Sequence, residues 1–175
     1  MNYITTKLSE EDKHILDKIY RHLEDIKLPS RFQKVGAQGH SKRTGACTQK
    51  GARQTCFGYT TYKGRKQLSV NTKKHPCIMD LFKEFINSHY PHFEFDSVYV
   101  NKNVICKRHL DSKNVGESLI VGLGEYTDGE TVLYINGNEA KFDIKCQSLI
   151  FNGSQIEHWS LPFKGTRYSL VLFNS

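Results

Sequence analysis

From Phe93 to the C-terminus the chain breaks into short runs of β-favouring residues: FEFDSVYVNKNVIC, SLIVGLGEY, TVLYIN, AKFDIK, SLIFN, EHWSL and RYSLVLFN. β-branched and aromatic residues dominate these runs, and turn-forming residues divide them. Asn136-Gly137-Asn138 is a tight-turn signal between TVLYIN and AKFDIK. Many short strands at such close spacing argue for a β-sandwich or barrel of the jelly-roll kind. The expected fold class is mainly β with flanking α-helices.

The helices lie earlier in the chain. Ser9 is a good N-cap, followed by Glu10, Glu11 and Asp12 in the first turn, with Leu8 placed to staple the start. Ile15, Leu16, Ile19, Leu23 and Ile26 keep the helical period until Pro29. A second helix is expected over Ile78–Ser88, between Pro76 and Pro91, with Leu81, Phe82, Phe85 and Ile86 as its buried stripe. Between the helices, QTCFGYTTYKG and KQLSVNT alternate well enough for strands. No linker, repeat or low-complexity tail divides the 175 residues, so one domain is expected. Residues 1–92 would supply helices and a basic segment facing the substrate, and residues 93–175 the jelly-roll core.

Charge is unevenly spread. Arg31 to Met79 holds eleven Lys or Arg and no Asp or Glu, while acids outnumber bases in the remainder. Such a patch attracts polyanions, and nucleic acid is the obvious partner. Gly36, Gly39, Gly45 and Gly51 punctuate its first half, which reads as a mobile loop. Phe57, Tyr59 and Tyr62 lie among the positive charges. They suit base stacking beside phosphate contacts, and equally suit core packing.

The five cysteines (Cys47, Cys56, Cys77, Cys106 and Cys146) include no CxxC pair and read as free thiols. A zinc site from Cys47, Cys56, His75 and Cys77 would fit no standard spacing. No apolar run has membrane-spanning length, and MNYITTKLSEEDKH lacks the apolar stretch of a signal peptide. An intracellular monomer is expected, cytoplasmic or nuclear, with no membrane partner.

The chemistry-bearing segment is CKRHLDSKNVGES. His109 and Asp111 are two apart, so in a strand both side chains enter one space. They form two thirds of a facial metal triad, and His158 in QIEHWSLPF can complete it. Two histidines and one carboxylate hold Fe(II) on one face of its octahedron, leaving three positions for a bidentate 2-oxo acid and dioxygen. The distal carboxylate of such an acid needs a buried cation. Arg167 opens RYSLVLF, and Ser169 at i+2 shares its side of the strand, a guanidinium and a hydroxyl together.

This HxD…H…R arrangement resembles the Fe(II)- and 2-oxoglutarate-dependent dioxygenases, over roughly Phe93 to the C-terminus. The resemblance implies a double-stranded β-helix, the cupin-like jelly roll, with His109, Asp111 and His158 as catalytic iron ligands. Arg167 and Ser169 would hold the C5 carboxylate of 2-oxoglutarate, with Asn101, Asn103 and Tyr99 as further co-substrate contacts and ascorbate as a supporting reductant. Within the superfamily, HLDSKNVGES is similar to the H-x-D-x-x-N-x-G-x-S wording of the thymine and methylcytosine hydroxylases, the base J-binding and ten-eleven-translocation types. Small stand-alone members of this kind occur in phages and large DNA viruses, which would suit the Lys- and Asn-rich composition. The implied activity is hydroxylation of a nucleic-acid base (5-methylcytosine or thymine, in DNA ahead of RNA) with release of succinate and CO2. Candidate substrate residues are Arg53, Phe57, Tyr59, Tyr62, Lys63 and Arg65 before the barrel and Asn114 after the HxD; Trp159 reads as packing. The alternatives are a prolyl- or lysyl-type protein hydroxylase of the same superfamily, a non-catalytic basic nucleic-acid-binding domain, and a cupin isomerase, which would need no distal carboxylate anchor.

Overall fold

A computed structural model describes residues 2–28 and 47–175. The elements run β1 (Tyr3–Lys7), α1 (Glu10–Asp25), β2 (Cys47–Tyr62), β3 (Arg65–Leu68), α2 (Val70–Lys74), α3 (Cys77–His89), β4 (Ser97–Ile105), β5 (Val115–Asp128), β6 (Thr131–Ile135), β7 (Asn138–Phe142), β8 (Gln147–Phe151), β9 (His158–Ser160) and β10 (Phe163–Asn174). The strands form two antiparallel sheets, a larger one in the order β1-β8-β5-β10-β4-β2-β3 and a smaller one in the order β7-β6-β9. Facing sheets of this make, with helices on the outer side of the larger one, are the double-stranded β-helix.

The alternation along β5 shows why. Leu119, Val121 and Leu123 point outward into a core with Ile19 and Leu23 of α1 and Phe82 and Phe85 of α3. Ile120 points inward, to Leu133, Phe142, Ile144, Leu149 and Phe151. A strand covered on both faces reads as a continuous apolar run, which is what SLIVGLG is. β10 does the same: Tyr168, Leu170 and Leu172 meet the helices. Its odd-numbered side chains, Arg167 and Ser169 among them, therefore line the space between the sheets.

Helix α1 starts as expected. The Ser9 hydroxyl accepts from the Asp12 amide at 3.0 Å, and the Asp12 carboxylate accepts from the Ser9 amide at 2.9 Å. Asp12 is also buried against α3 and the sheet: Ser88 Oγ donates to it at 2.7 Å, and His89 Nδ1 lies 2.8 Å away. His89 Nε2 lies 2.6 Å from Ser148 Oγ on β8. One carboxylate thus ties both helices to the larger sheet.

The hairpin β6–β7 turns through Asn136 and Gly137, both left-handed (φ 51° and 79°), with Ile135 paired to Asn138. That is the two-residue turn its sequence demands. Two elements depart from expectation. KQLSVNT is a strand only to Leu68; Ser69 then caps the short helix α2, its hydroxyl accepting from the Thr72 amide at 3.2 Å. β1 has no apolar alternation to betray it; it exists because it completes the edge against β8, Tyr3 opposite Phe151. Of the glycine-rich stretch expected as a loop, residues 31–46 lie outside the described residues, whereas residues 47–52 belong to β2, a correction; the side chain of the zinc candidate Cys47 lies outside the described ones. Among the described residues, no helix is long and apolar enough to cross a membrane.

Candidate metal centre and anion pocket

HLD lies just past the end of β4. His109 forms an isolated antiparallel bridge with His158, each amide donating to the other's carbonyl at 3.1 Å. The bridge preserves the alternation a strand would give, so His109 and Asp111 point inward while Leu110 is exposed. Asp111 is fixed by its own backbone: its amide donates to the Gly153 carbonyl at 2.8 Å.

The donor atoms of His109, Asp111 and His158 all lie within 4.8 Å of one another. Asp111 Oδ1 is 3.3 Å from His109 Nε2, and Oδ2 is 3.2 Å from His158 Nε2. Two donors at right angles on an octahedral ion, each about 2.1 Å from it, lie about 3.0 Å apart. The observed spacing is therefore that of adjacent ligands. Both rings are oriented from behind. His109 Nδ1 lies 2.6 Å from the Lys107 carbonyl and His158 Nδ1 lies 2.8 Å from the Ile156 carbonyl. A carbonyl only accepts, so each Nδ1 carries hydrogen and each Nε2 is turned to the shared space.

The electrostatics agree. Burial pushes the Asp111 carboxyl up, but hydrogen bonds from His109 and His158 outweigh it and hold the group well below its usual range. Burial opposes charge on His109 too, yet the Asp111 partner lifts its affinity for a proton. The cluster is built to hold positive charge between these three groups. Gly153 leaves room for it: a Cβ there would sit 3.0 Å from Asp111 Oδ2 and 3.4 Å from His158 Cε1.

Arg167 occupies the barrel interior and is 3% exposed. Nε donates to the Gly129 carbonyl at 3.2 Å. Its guanidinium carbon lies 5.6 Å from the Tyr126 ring centroid and 6.0 Å from that of Phe163. No carboxylate among the described residues lies within 4.0 Å of it. Burial accordingly pulls its pKa down. Beside it lies the buried Tyr126 hydroxyl: burial pushes it up to about 12, and the Arg167 guanidinium opposes that rise. Thr131 Oγ1 is buried with no hydrogen-bond partner. Thr131 lies two residues beyond Gly129 and, by alternation with Leu133, faces the same interior. A guanidinium without a carboxylate against it in a dry interior is costly unless an anion joins it. Gly129 permits the arrangement: its φ is +72°, and a Cβ would come within 3.0 Å of Arg167 Cδ and Nε.

The other residues singled out from the sequence divide as follows. Ser169 is buried beside Asn101, whose Nδ2 donates to Ser169 Oγ at 3.3 Å, and Gln54 Nε2 donates to Asn101 Oδ1 at 2.7 Å. These three form a polar row across β10, β4 and β2. Asn103 turns left-handed (φ 54°), and its Oδ1 accepts from the Arg167 amide at 2.9 Å, so it fixes the backbone of Arg167. Tyr99 stacks on Phe173 at 5.4 Å, near the end of β4 remote from HLD. Asn114 closes the HxD turn, its amide donating to the Asp111 carbonyl at 3.0 Å and its Nδ2 to Ser118 Oγ at 3.3 Å.

Among the candidate substrate residues, Phe57 is a correction: it is fully buried against Phe82, ring centroids 6.0 Å apart, and no base can stack on it. Arg53 is a second correction, because its strand position turns it to the helix side, where it lines a cavity with Glu24, Asp25, Lys102 and Tyr168. Tyr59, Lys63 and Arg65 are exposed on the β2–β3 hairpin. The side chain of Tyr62 is outside the described set. Sequence reading missed Tyr126, Thr131, Gly129, Gly153 and Gln54. Tyr126 had a signal: it is on the inward parity of SLIVGLGEY, four residues past Gly122.

No family model and no curated protein matches the chain. Solved structures do. NgTET1 in complex with 5mC DNA superposes with a TM-score of 0.64 at 12% identity, covering 99% of this chain and 72% of that one. An oxidoreductase of the 2OG-Fe(II) oxygenase family from Burkholderia pseudomallei gives 0.60 at 16% identity, covering 98% and 83%. A prolyl hydroxylase from Trichoplax adhaerens, in complex with a hypoxia inducible factor peptide fragment, gives 0.58 at 13% identity, covering 98% and 82%. At these identities the likeness is one of fold.

Proposed function

We propose that the protein is an Fe(II)- and 2-oxoglutarate-dependent dioxygenase that hydroxylates a base of a nucleic acid. The observation that carries the reading is the buried guanidinium of Arg167, with the Tyr126 phenol beside it and no carboxylate of the described residues within 4.0 Å, inside a barrel whose mouth holds the His109–Asp111–His158 cluster. His109 and His158 would ligate through Nε2, oriented by their Nδ1–H bonds, and Asp111 through its carboxylate. Ferrous iron held there would supply the oxidative chemistry that couples decarboxylation of a 2-oxo acid to hydroxylation of a substrate. The balance is 2-oxoglutarate, O2 and a substrate C–H giving succinate, CO2 and C–OH. Arg167 would pair with the distal carboxylate, with Tyr126 and Ser169 donating hydroxyl hydrogens to it. Burial of Arg167 excludes water from that pair and strengthens it.

The polymer is inferred from charge. Eleven basic residues without one acid occupy Arg31–Met79, and the described part of that segment includes the exposed β2–β3 hairpin. The fold likeness to NgTET1 supports DNA and a place in the nucleobase-hydroxylating branch. A base inside a duplex would have to leave the stack to reach the metal. A protein hydroxylase is the second reading, favoured by the likeness to a prolyl hydroxylase bound to a peptide.

Nucleosides from methylated DNA, unmodified DNA and RNA, each treated with the protein, Fe(II), ascorbate and 2-oxoglutarate, are to be analysed by mass spectrometry beside an acidic proline-containing peptide. A gain of one oxygen on a base, stoichiometric with succinate, is the expected result. Oxidation of the peptide alone would replace the nucleic-acid reading with the second one. Absence of succinate in every arm, with metal bound, would end the dioxygenase reading.

A further inference from the structure

On the outer face of the bridge that carries the two histidines, the neighbours of the metal ligands form a cluster of their own. Arg108 precedes His109 and Glu157 precedes His158, and their side chains form an ion pair. The guanidinium carbon of Arg108 lies 4.1 Å from the Tyr134 ring centroid and 5.5 Å from that of Trp159. Trp159 follows His158, and Tyr134 stands on β6, its amide donating to the Glu157 carbonyl at 2.9 Å. One planar cation is thus held by a carboxylate and two aromatic faces from two different strands.

The placement matters because, among the described residues, single backbone contacts rather than a ladder join the two ligand-bearing segments. His109 and His158 meet in one isolated bridge, not in a ladder. On either side of that bridge the Ser160 amide donates to the Cys106 carbonyl at 3.1 Å, Ser160 Oγ accepts from the Cys106 amide at 2.8 Å, and the Asp111 amide donates to the Gly153 carbonyl at 2.8 Å. The carbonyls that orient the imidazoles belong to Lys107 and Ile156. Arg108 and Glu157 each sit between one of those carbonyls and its histidine. A shift of either residue therefore moves both the ring and the acceptor that aims it.

We propose that Arg108 and Glu157 are positioning residues for the metal centre, a clamp on the outer face that sets the spacing of His109 and His158 on the inner one. An isolated exposed ion pair contributes little; this one differs because two ring faces hold the guanidinium and because its function is registration of two short segments. The proposal rests on the reading of the His109–Asp111–His158 cluster as a metal site.

The test uses the metal-depleted full chain and Mn(II), with free Mn(II) followed by electron paramagnetic resonance. Arg108→Ala and Glu157→Ala are expected to raise the Mn(II) dissociation constant about tenfold, the lower end of what partners behind metal ligands contribute. The exchanged pair, Arg108→Glu with Glu157→Arg, and Arg108→Lys each restore an ion pair without the guanidinium stacked at position 108, and each is expected to recover part of that loss. Melting temperatures of the metal-free variants report folding separately. Unchanged Mn(II) affinity in the single variants, or an exchanged pair no better than either of them, would overturn the clamp. Failure of the unmutated chain to bind Mn(II) would instead overturn the metal reading on which it rests.

Discussion

The guanidinium of Arg167 and the phenol of Tyr126 face each other in the barrel interior, 5.6 Å from guanidinium carbon to ring centroid, with no carboxylate among the described residues within 4.0 Å of the cation. A buried charge without a partner lowers stability, and its replacement by an apolar side chain of similar length is neutral or stabilising. Arg167→Met should therefore melt no lower than the unmutated protein in the absence of 2-oxoglutarate. If 2-oxoglutarate is the anion proposed for this pocket, the same variant should lose the rise in melting temperature that it gives the unmutated protein, because a broken buried pair costs about 3–5 kcal/mol. Tyr126→Phe removes one hydrogen bond to a charged group and should weaken 2-oxoglutarate by about 1.5–3 kcal/mol. Thermal shift against 2-oxoglutarate concentration measures both. A full 2-oxoglutarate shift in Arg167→Met would show that the anion binds elsewhere.

Gly153 is a wall of the His109–Asp111–His158 cluster. Its missing side chain leaves the space in which Asp111 Oδ2 and His158 approach, and its carbonyl holds the Asp111 amide. Its backbone is not left-handed, so alanine is tolerated by the chain itself. Gly153→Ala should keep the melting temperature of the metal-free protein within a few degrees while displacing the carboxylate. Loss of a well-placed ligand geometry should weaken metal about tenfold or more. Gly153→Val should do so further, and isothermal titration with Mn(II) orders the three proteins. Equal affinities would mean that Asp111 can move aside without leaving the metal.

The parts of the site that alternation carries were readable before any coordinates. HxD and RxS each place two side chains on one face, and the structure keeps both pairs together. Two histidines far apart in sequence could be matched only through the order of strands in the barrel, which the resemblance supplied. What sequence could not give was the register between strands. Gln54 meets Asn101 because β2 runs beside β4, and no local pattern in QTCFGY specifies that neighbour. The faces taken by Arg53 and Phe57 were unreadable for the same reason, because the β2–β4 register shifts between Thr48 and Arg53. The left-handed backbone of Asn103, which turns its side-chain amide to the Arg167 main chain, was likewise not readable from local pattern. β1 was missed because YITTK gains its place only from β8.

Asp12 gives the fold a measurable acid limit. Burial opposes its ionisation, but the Ser9 amide, the Ser88 hydroxyl and His89 outweigh burial and lower its pKa below the ordinary 3.8. A carboxyl whose folded pKa is depressed stabilises the fold above its unfolded pKa, and that contribution fades as pH falls through the folded value. Asp12→Asn should therefore lower stability at pH 7, by about 1–3 kcal/mol for a buried hydrogen-bonded network. The gap to the unmutated protein should stay constant down to about pH 4 and shrink below it. Urea melts at several pH values measure this. A gap that widened towards low pH would mean that Asp12 is protonated in the native state and acts only as a neutral cap.

The hairpin of β2 and β3 offers the clearest test of the polymer. Lys63 stands at its turn with a left-handed backbone (φ 48°), and Arg65 opens β3, both exposed. Lys66 is already engaged by Asp96, so it contributes less charge to a partner. Each phosphate that a basic side chain neutralises releases condensed counterions and adds about 0.9 to the slope of log affinity against log salt for duplex DNA. Lys63→Ala with Arg65→Ala should therefore reduce that slope by about 2 and weaken binding alike on all sequences, since phosphate contacts carry no base preference. Arg53→Ala should leave the slope unchanged, because Arg53 faces Glu24 and Asp25 on the helix side. Fluorescence anisotropy of a labelled duplex between 50 and 200 mM salt, roughly the range over which such slopes are read, distinguishes the two variants. Equal slopes for all three proteins would remove the hairpin from the nucleic-acid surface, whereas a change only in Arg53→Ala would place that surface on the helix side, away from the metal.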